Sequence, residues 1–264
     1  MFKNISKAIW FVWIPVLVLA GSAVYMLAIG IIAAHYLCAT LIMWMLVCGL
    51  GAEVGYHRVF SHRTHHLPAW KENIILFFAV FSGQGSSIMW TALHRGYHHS
   101  HCDTKRDIHS PVAHGFFHAF VGWYFQITQN NMMINIRYAV DLLRKPNHVW
   151  FHRNQLKIMW LVPLIVCVVD WRLAFTGFFL VTGISFFHAN ITNTVGHIRS
   201  GIGYRNFETQ DRTYNNILTG YLTWGEGWHN NHHHCPGNYD FGSGISGRWW
   251  EFDACRIFLP FLKL

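Results

Sequence analysis

The sequence predicts an all-α integral membrane protein in which four transmembrane helices form two hairpins and a cytoplasmic helical domain carries clusters of histidine. Three observations predict it. Hydrophobic residues make up 52% of the 264-residue chain and charged residues only 12%, a balance unlike that of an ordinary soluble domain. Two long stretches are nearly free of charge. Twenty histidines outnumber the twelve Asp and Glu and gather outside those stretches, so a metal centre here would be built mainly from nitrogen ligands.

From residue 8 to residue 52 there is no Lys, Arg, Asp or Glu. Crossing a hydrocarbon layer of ~30 Å takes roughly 20 helical residues, so this length fits two helices joined by a tight turn near 30–35. It predicts a first hairpin over 8–56. A basic residue ahead of an apolar run also resembles a signal peptide, with Ala20-Gly21-Ser22-Ala23 as a weak cleavage site; the second apolar run, following at once, argues against removal. Residues 74–80 are apolar but give way to Ser82-Gly83-Gln84-Gly85-Ser86-Ser87, too polar and too short to cross. A helix lying against the membrane-proximal region is predicted there. The polar stretch 94–155, broken at Pro111 and Pro146, precedes a second predicted hairpin over 150–190 that turns at Asp170-Trp171-Arg172, with Arg153 and Lys157 snorkelling at its start.

If both hairpins are accepted, Lys3, Lys7, Arg58, Arg63, Lys71, Arg144, Lys145, Arg199, Arg205 and Arg212 fall on one side and Arg172 on the other. By the positive-inside rule the first side is cytoplasmic, and every histidine cluster shares it. The chain reads as one domain over 1–264, with a cytoplasmic region at 57–149 between the hairpins and another at 191–264. The net charge of +8 suits anionic headgroups and an acidic protein partner, whereas the absence of a dense basic run excludes nucleic acid. Six cysteines include no Cys-x-x-Cys pair, so neither a disulfide framework nor a zinc knuckle is predicted.

The chemistry is concentrated in Gly225-Glu226-Gly227-Trp228-His229-Asn230-Asn231-His232-His233-His234. On a helix His229, His232 and His233 stand at i, i+3 and i+4, which predicts three imidazoles projecting from one face toward a single point. Three further groups join them. These are His57 and His62 after the first hairpin, His94, His98 and His99 beyond the polar Ser-Gly segment, and His197 just past the last span in Asn193-Thr194-Val195-Gly196-His197. The five-residue step from His57 to His62 is not a one-face spacing, which places His62 past a helix end. Nine imidazoles are too many for one ion and predict two.

The ordered set His57-x4-His62, His94-x3-His98-His99 and His229-x2-His232-His233 resembles the three histidine boxes of the membrane fatty acid desaturases, the acyl-CoA delta-9 or stearoyl-CoA type in particular. The resemblance runs from Gly55 to Asp253 and includes Asp107-Ile108-His109-Ser110-Pro111 and Arg248-Trp249-Trp250-Glu251. It implies His197 as a ninth ligand, Asn193 as the holder of a metal-bound water, and Gln84 and Trp90 at the bend of an acyl tunnel. Two departures stand out. Ala189 occupies a tunnel position where the family commonly has Thr, and the second box is one residue longer than usual. On an ideal helix His94, His98 and His99 fan out over about 140°, and a one-residue π-bulge near Gly96 would bring them back together.

The activity the resemblance implies is an oxygen-dependent desaturation that places a cis double bond, at delta-9, in a saturated acyl chain. Its cofactors would be two Fe ions, with O2 as co-substrate. No side-chain acid or base can take a proton from unactivated hydrocarbon, so a redox metal is required, and zinc in the same ligands would be inert. The substrate would be carried on coenzyme A, acyl carrier protein or a membrane lipid. The sequence has no haem motif, dinucleotide fingerprint or ferredoxin-type cysteine array, so electrons would come from a separate donor such as cytochrome b5 or ferredoxin. The rival readings are a fatty acyl hydroxylase on the same scaffold and a non-enzymatic membrane metal-binding protein or transporter. The transporter would want ionisable ligands inside the spans, and the spans carry almost none.

Overall fold

A computed structural model describes residues 9–125, 136–198 and 201–263; Lys3, Lys7 and Arg199 of the predicted basic side lie outside the described residues. The first apolar run becomes α1 (Trp10–Ala28), which stops where Gly30 takes φ +78°, the left-handed conformation that a side chain resists. The second becomes α2 (Ala34–Ser61). From Met45 to Ser61 this helix is π-wound and buried along nearly its whole length, and it delivers His57 close to its end.

A short helix, α3 (Ala69–Val80), then lies against α2 as the sequence predicts, with Ile75, Leu76, Ala79 and Val80 buried. The approach is close because Gly51 has no side chain: a Cβ there would stand 2.6 Å from the backbone nitrogen of Ala79. Next comes α4 (Ser87–Leu93), capped by the Ser86 hydroxyl accepting from the amide of Met89 and running into a π turn over His94–His99. The last long helix is α5 (Pro146–Val195). A two-stranded antiparallel ribbon, β1 (Gly203–Tyr204) with β2 (Asn215–Asn216), leads into α6 (Ile217–Leu222) and α7 (His229–His234).

The architecture is mostly helical, as expected, and three helices are long and apolar enough to cross a membrane. Their outer faces are bare hydrocarbon. Val18 is 63% exposed, Leu41 62%, Val168 88% and Val169 83%, a pattern that water would penalise and lipid would not. Where the sequence predicts two spans over 150–190 turning at Asp170-Trp171-Arg172, α5 consists of two helices that meet in a kink at Asp170, whose angles are non-helical (φ −154°, ψ 105°). The rings of Trp160 and Phe179, on either side of the interruption, lie 6.1 Å apart. Asp170 also accepts from the hydroxyl of Tyr36 at 2.6 Å and from Arg172 at 2.8 Å, clasping this break to the start of α2. Two cations expected on an exposed basic face are buried instead: Arg58 inside a cluster of carboxylates and carbonyls, and Lys71 donating to the carbonyl of Lys263.

Gly51→Ala is expected to destabilise the protein by about 1–3 kcal/mol, because the added methyl meets backbone rather than a side chain that could turn away. Gly21→Ala on α1, where nothing lies within 4 Å, is the control and should be neutral or slightly stabilising. Thermal unfolding in detergent checks both.

Candidate metal centre

The nine histidines singled out by the sequence come together, and they sort into two groups. His57, His62, His94, His99 and His232 form one, His98, His197, His229 and His233 the other; in each the possible ligand atoms lie within 4.8 Å of one another. Six of the nine are buried and three half-buried. Backbone winding makes this sorting possible. A π turn closes on the fifth residue, so the π-wound end of α2 brings the rings of His57 and His62 to 4.9 Å although His62 stands just past the last helical residue. The same winding in the second box brings the rings of His94 and His99 to 4.5 Å and leaves His98 to the other group.

A π turn is present at His94–His99, where the lengthened second box predicts one, but it does not bring all three rings together: His94 and His99 meet and His98 joins the other group. A second expectation also changes. His229, His232 and His233 do not converge on a single point: His229 and His233, four apart on α7, share one group, while His232 belongs to the other. Successive residues diverge by about 100° on an α-helix, so neighbours such as His232 and His233 serve different centres.

The nitrogen geometry tests whether metal fits. Nε2 faces Nε2 at 3.1 Å for His57 and His232, 2.8 Å for His62 and His94, 3.1 Å for His99 and His232, 2.9 Å for His197 and His229, and 3.2 Å for His98 and His233. With metal–imidazole bonds of about 2.1 Å, two ligands at a right angle stand about 3 Å apart. The outer nitrogens are held by carboxylates. His57 Nδ1 lies 2.6 Å from Glu226, His98 Nδ1 3.2 Å from Asp107, His197 Nδ1 3.1 Å from Asp103 and His233 Nδ1 2.8 Å from Asp211.

A carboxylate accepts, so each of those Nδ1 atoms carries the proton and each Nε2 presents a lone pair. Burial keeps the rings of His98 and His233 neutral. It pushes His98 down to about 3 against the opposing pull of Asp107, and it lowers His233, His229 and His232 as well. His98 and His233 therefore confront each other as two acceptors at 3.2 Å, an arrangement that a cation between them relieves.

Two arginines set the frame. Arg58, with no exposed surface, spends its donors on the carbonyls of Glu53, Trp224 and Tyr239 and on the carboxylates of Glu226 and Asp253, and Glu226 in turn holds His57. Arg95, next to the first histidine of the second box, donates to the carbonyls of Phe60 at 2.6 Å and Ser61 at 2.7 Å, and to Tyr138 and Asp141. The end of α2 that carries His57 and His62 is thereby locked to the helix that carries His94.

The remaining candidates sit as follows. Trp90 stacks on His94 at 4.6 Å, its indole N–H donates to Gln84 Oε1 at 2.8 Å, and Gln84 Nε2 donates to Ser185 at 3.0 Å. This string continues through Ser185, which sequence reasoning passed over, rather than through Ala189 one helical turn further on. Asn193 is half-buried on α5, one turn before His197. Cys102 approaches His197 and His233 from the Nδ1 side at 3.8 and 3.9 Å, behind the rings and away from the Nε2 atoms. Sequence reasoning also missed the roles of Asp103, Asp211 and Glu226. With only twelve acidic residues in the chain, Asp103 and Glu226 close to histidine groups were a usable signal, whereas Asp211 is brought in only by the ribbon.

A family model for fatty acid desaturases matches residues 34–256. The chain belongs to the fatty acid desaturase family. It is 32% identical to a probable chloroplast lipid desaturase of Arabidopsis thaliana over 83% of this chain and 59% of that protein. It is 33% identical to an sn-2 palmitoyl-lipid 9-desaturase of a Nostoc species over 78% and 70%, and 32% identical to a probable acyl-CoA desaturase of Schizosaccharomyces pombe over 84% and 46%. The matched region thus spans about half to two thirds of these relatives' lengths.

Removing an orienting carboxylate, Asp211→Ala or Asp107→Ala, is expected to lower affinity for a divalent metal about 10- to 100-fold while leaving the helical content unchanged. Metal retained against a graded chelator, read by elemental analysis alongside circular dichroism, checks it.

Proposed function

We propose that this desaturase is an oxygen-dependent, two-iron enzyme that introduces a cis double bond, at the delta-9 position, into a saturated acyl chain. The observation that carries the reading is the sorting of nine imidazoles into groups of five and four, with Nε2 facing Nε2 and no carboxylate among the facing atoms. In this reading His57, His62, His94, His99 and His232 hold one iron, and His98, His197, His229 and His233 the other. The group of four is the one that contains His197, and Asn193, one turn earlier, would hold a water that completes it. Bound iron with O2 would supply the hydrogen-abstracting power that unactivated CH2 groups demand.

The chain's own residues do the positioning. Carboxylates on the Nδ1 atoms of His57, His98, His197 and His233 aim those rings, and Arg58 and Arg95 fix the backbone beneath them. Trp90, held by Gln84 and Ser185 against His94, gives a rigid polar bend beside the metal group, so an acyl chain laid along it meets the reacting atoms at one pair of carbons. The name of the Nostoc relative supports the delta-9 assignment. Ala189, one turn beyond Ser185 on the same helix, is smaller than the Thr that the family commonly carries there.

The membrane reading is of four crossings in two hairpins within one domain, with α5 folding back at Asp170, and of a metal site on the cytoplasmic side. Arg63, Arg144 and Arg212, all exposed on the histidine side, support that orientation and a docking face for an acidic donor such as cytochrome b5 or ferredoxin.

Expression in a host without its own desaturase, with a competent reductase, is expected to yield new cis-monounsaturated chains by gas chromatography, abolished by His229→Ala and by His98→Ala. A hydroxylated chain without an alkene would instead make the protein a hydroxylase, and unchanged profiles from iron-loaded protein would sink both readings.

A further inference from the structure

The short helix α6 (Ile217–Leu222) is inside out. Its buried side is Thr219 and Gly220, continued by Thr223, whereas its exposed side is Ile217, Leu218, Tyr221 and Leu222, with Leu218 58% and Leu222 55% exposed. A helix between protein and water carries the opposite pattern. The two hydroxyls are satisfied without water, Thr219 donating to the carbonyl of Asn216 and Thr223 to that of Thr219. Gly220 lets the helix close on the indole of Trp228, which a Cβ would meet at 2.6 Å. Polar groups are turned inward and large apolar side chains are left on the surface.

An open cavity of about 670 Å³ connects that surface to the long helices. Its lining runs from Leu41 on α2 and Ile184 on α5 to Val195, where α5 ends, and on to Leu218 and Leu222, with no charged residue among them. One apolar surface thus joins the outward side of two helices long enough to cross a membrane to the exposed side of α6. The hydrocarbon that covers Leu41, itself 62% exposed, reaches Leu222 along it.

The rim beside α6 has the composition of a membrane boundary. The Tyr221 hydroxyl donates to the carbonyl of Trp250, and the ring of Trp250 lies 5.7 Å from that of Tyr204. Trp249 is 86% exposed next to an exposed Arg248. Trp and Tyr gather where hydrocarbon gives way to headgroups, and an arginine there extends its charge toward the headgroups.

We propose that α6 and the 248–252 loop form a further membrane contact, lying in the headgroup boundary of the bilayer that the long helices cross, with Leu218 and Leu222 against acyl chains and Trp249 among headgroups. Because α6 leads through one loop to His229 on α7, this contact seats the metal end of the protein on the lipid. A second copy of the chain is a poorer occupant: four side chains and a loop fall far short of the roughly 20–30 residues a side in a stable protein interface. The inference goes beyond the desaturase reading and requires only that the long helices cross a bilayer.

The test places a fluorescent amino acid by amber suppression at Leu222, Trp249, Glu208 or Ile165 of the full chain, reconstituted in vesicles of phosphatidylcholine and phosphatidylglycerol. Brominated phosphatidylcholine quenches from the bilayer and iodide from water. Glu208, with a side chain 99% exposed, is the water reference, and Ile165 on α5, 66% exposed, is the span reference. Brominated lipid is expected to quench at Leu222, with iodide quenching about fivefold weaker there than at Glu208, and Trp249 should respond to both quenchers. On the unmodified chain, a bilayer-confined carbene reagent should modify the tryptic peptide after Arg212, which holds Leu218 and Leu222, and spare the one holding Glu208.

Iodide access at Leu222 equal to that at Glu208, no carbene label after Arg212, or protection that vanishes when the protein is diluted in lipid would each overturn the proposal, the last by pointing to a second copy. A probe at Ile165 that brominated lipid leaves unquenched would remove the bilayer and this contact with it. If cells show no new double bonds but Leu222 is in lipid, the contact stands and the desaturase reading falls.

Discussion

Opposed lone pairs govern this molecule. Buried imidazoles, kept neutral by desolvation and turned by carboxylates on their outer nitrogens, face one another at about the separation of two ligands on one ion. Such a set cannot satisfy itself by hydrogen bonding, because at least one pair, His98 and His233, has no proton to share. The histidine-bearing segments are therefore held in a geometry that is unfavourable by itself and favourable around cations. Metal binding and the folding of this end of the protein are coupled through that geometry.

The surrounding structure bears the cost of holding it. Arg58 would be destabilising if buried alone; it is tolerated because its guanidinium meets two carboxylates and three carbonyls, and one of those carboxylates aims His57. Arg95 binds the last carbonyls of α2, so the first and second boxes move as one body. At the other end the hydroxyl of Tyr36 and the carboxylate of Asp170 join the beginning of α2 to the break in α5. The long helices between these two polar clasps present hydrocarbon outward and contribute little polar chemistry of their own. Trp44 and His188 are among the exceptions, and they sit where α2 and α5 line an open apolar cavity.

Several features were legible in the order of residues. The apolar runs announced helices that end near Gly30 and break near Asp170, because length, hydropathy and a left-handed glycine are local properties. The extra residue in the second box announced a π turn, since three rings at those spacings fan apart on an α-helix and five-residue closure gathers two of them. The resemblance to the desaturases rested on ordered histidines, and the matched region of 34–256 contains all of them.

The sequence by itself determined which nine nitrogen donors are available, that they number too many for one ion, and that they stand on or beside helices joined to apolar stretches long enough to cross a membrane. Only the tertiary structure decided how they divide, sending His232 and His233 to different groups, and which carboxylates orient them, since Asp211 reaches His233 from 22 residues away. It also decided that Ser185 rather than Ala189 completes the string from Trp90, and that Arg58 serves the interior instead of the headgroups. The physical reason is range: helix winding and hydropathy act between near neighbours and are written in spacing, whereas the aim of an imidazole and the burial of a charge depend on partners that only folding brings within 3 Å.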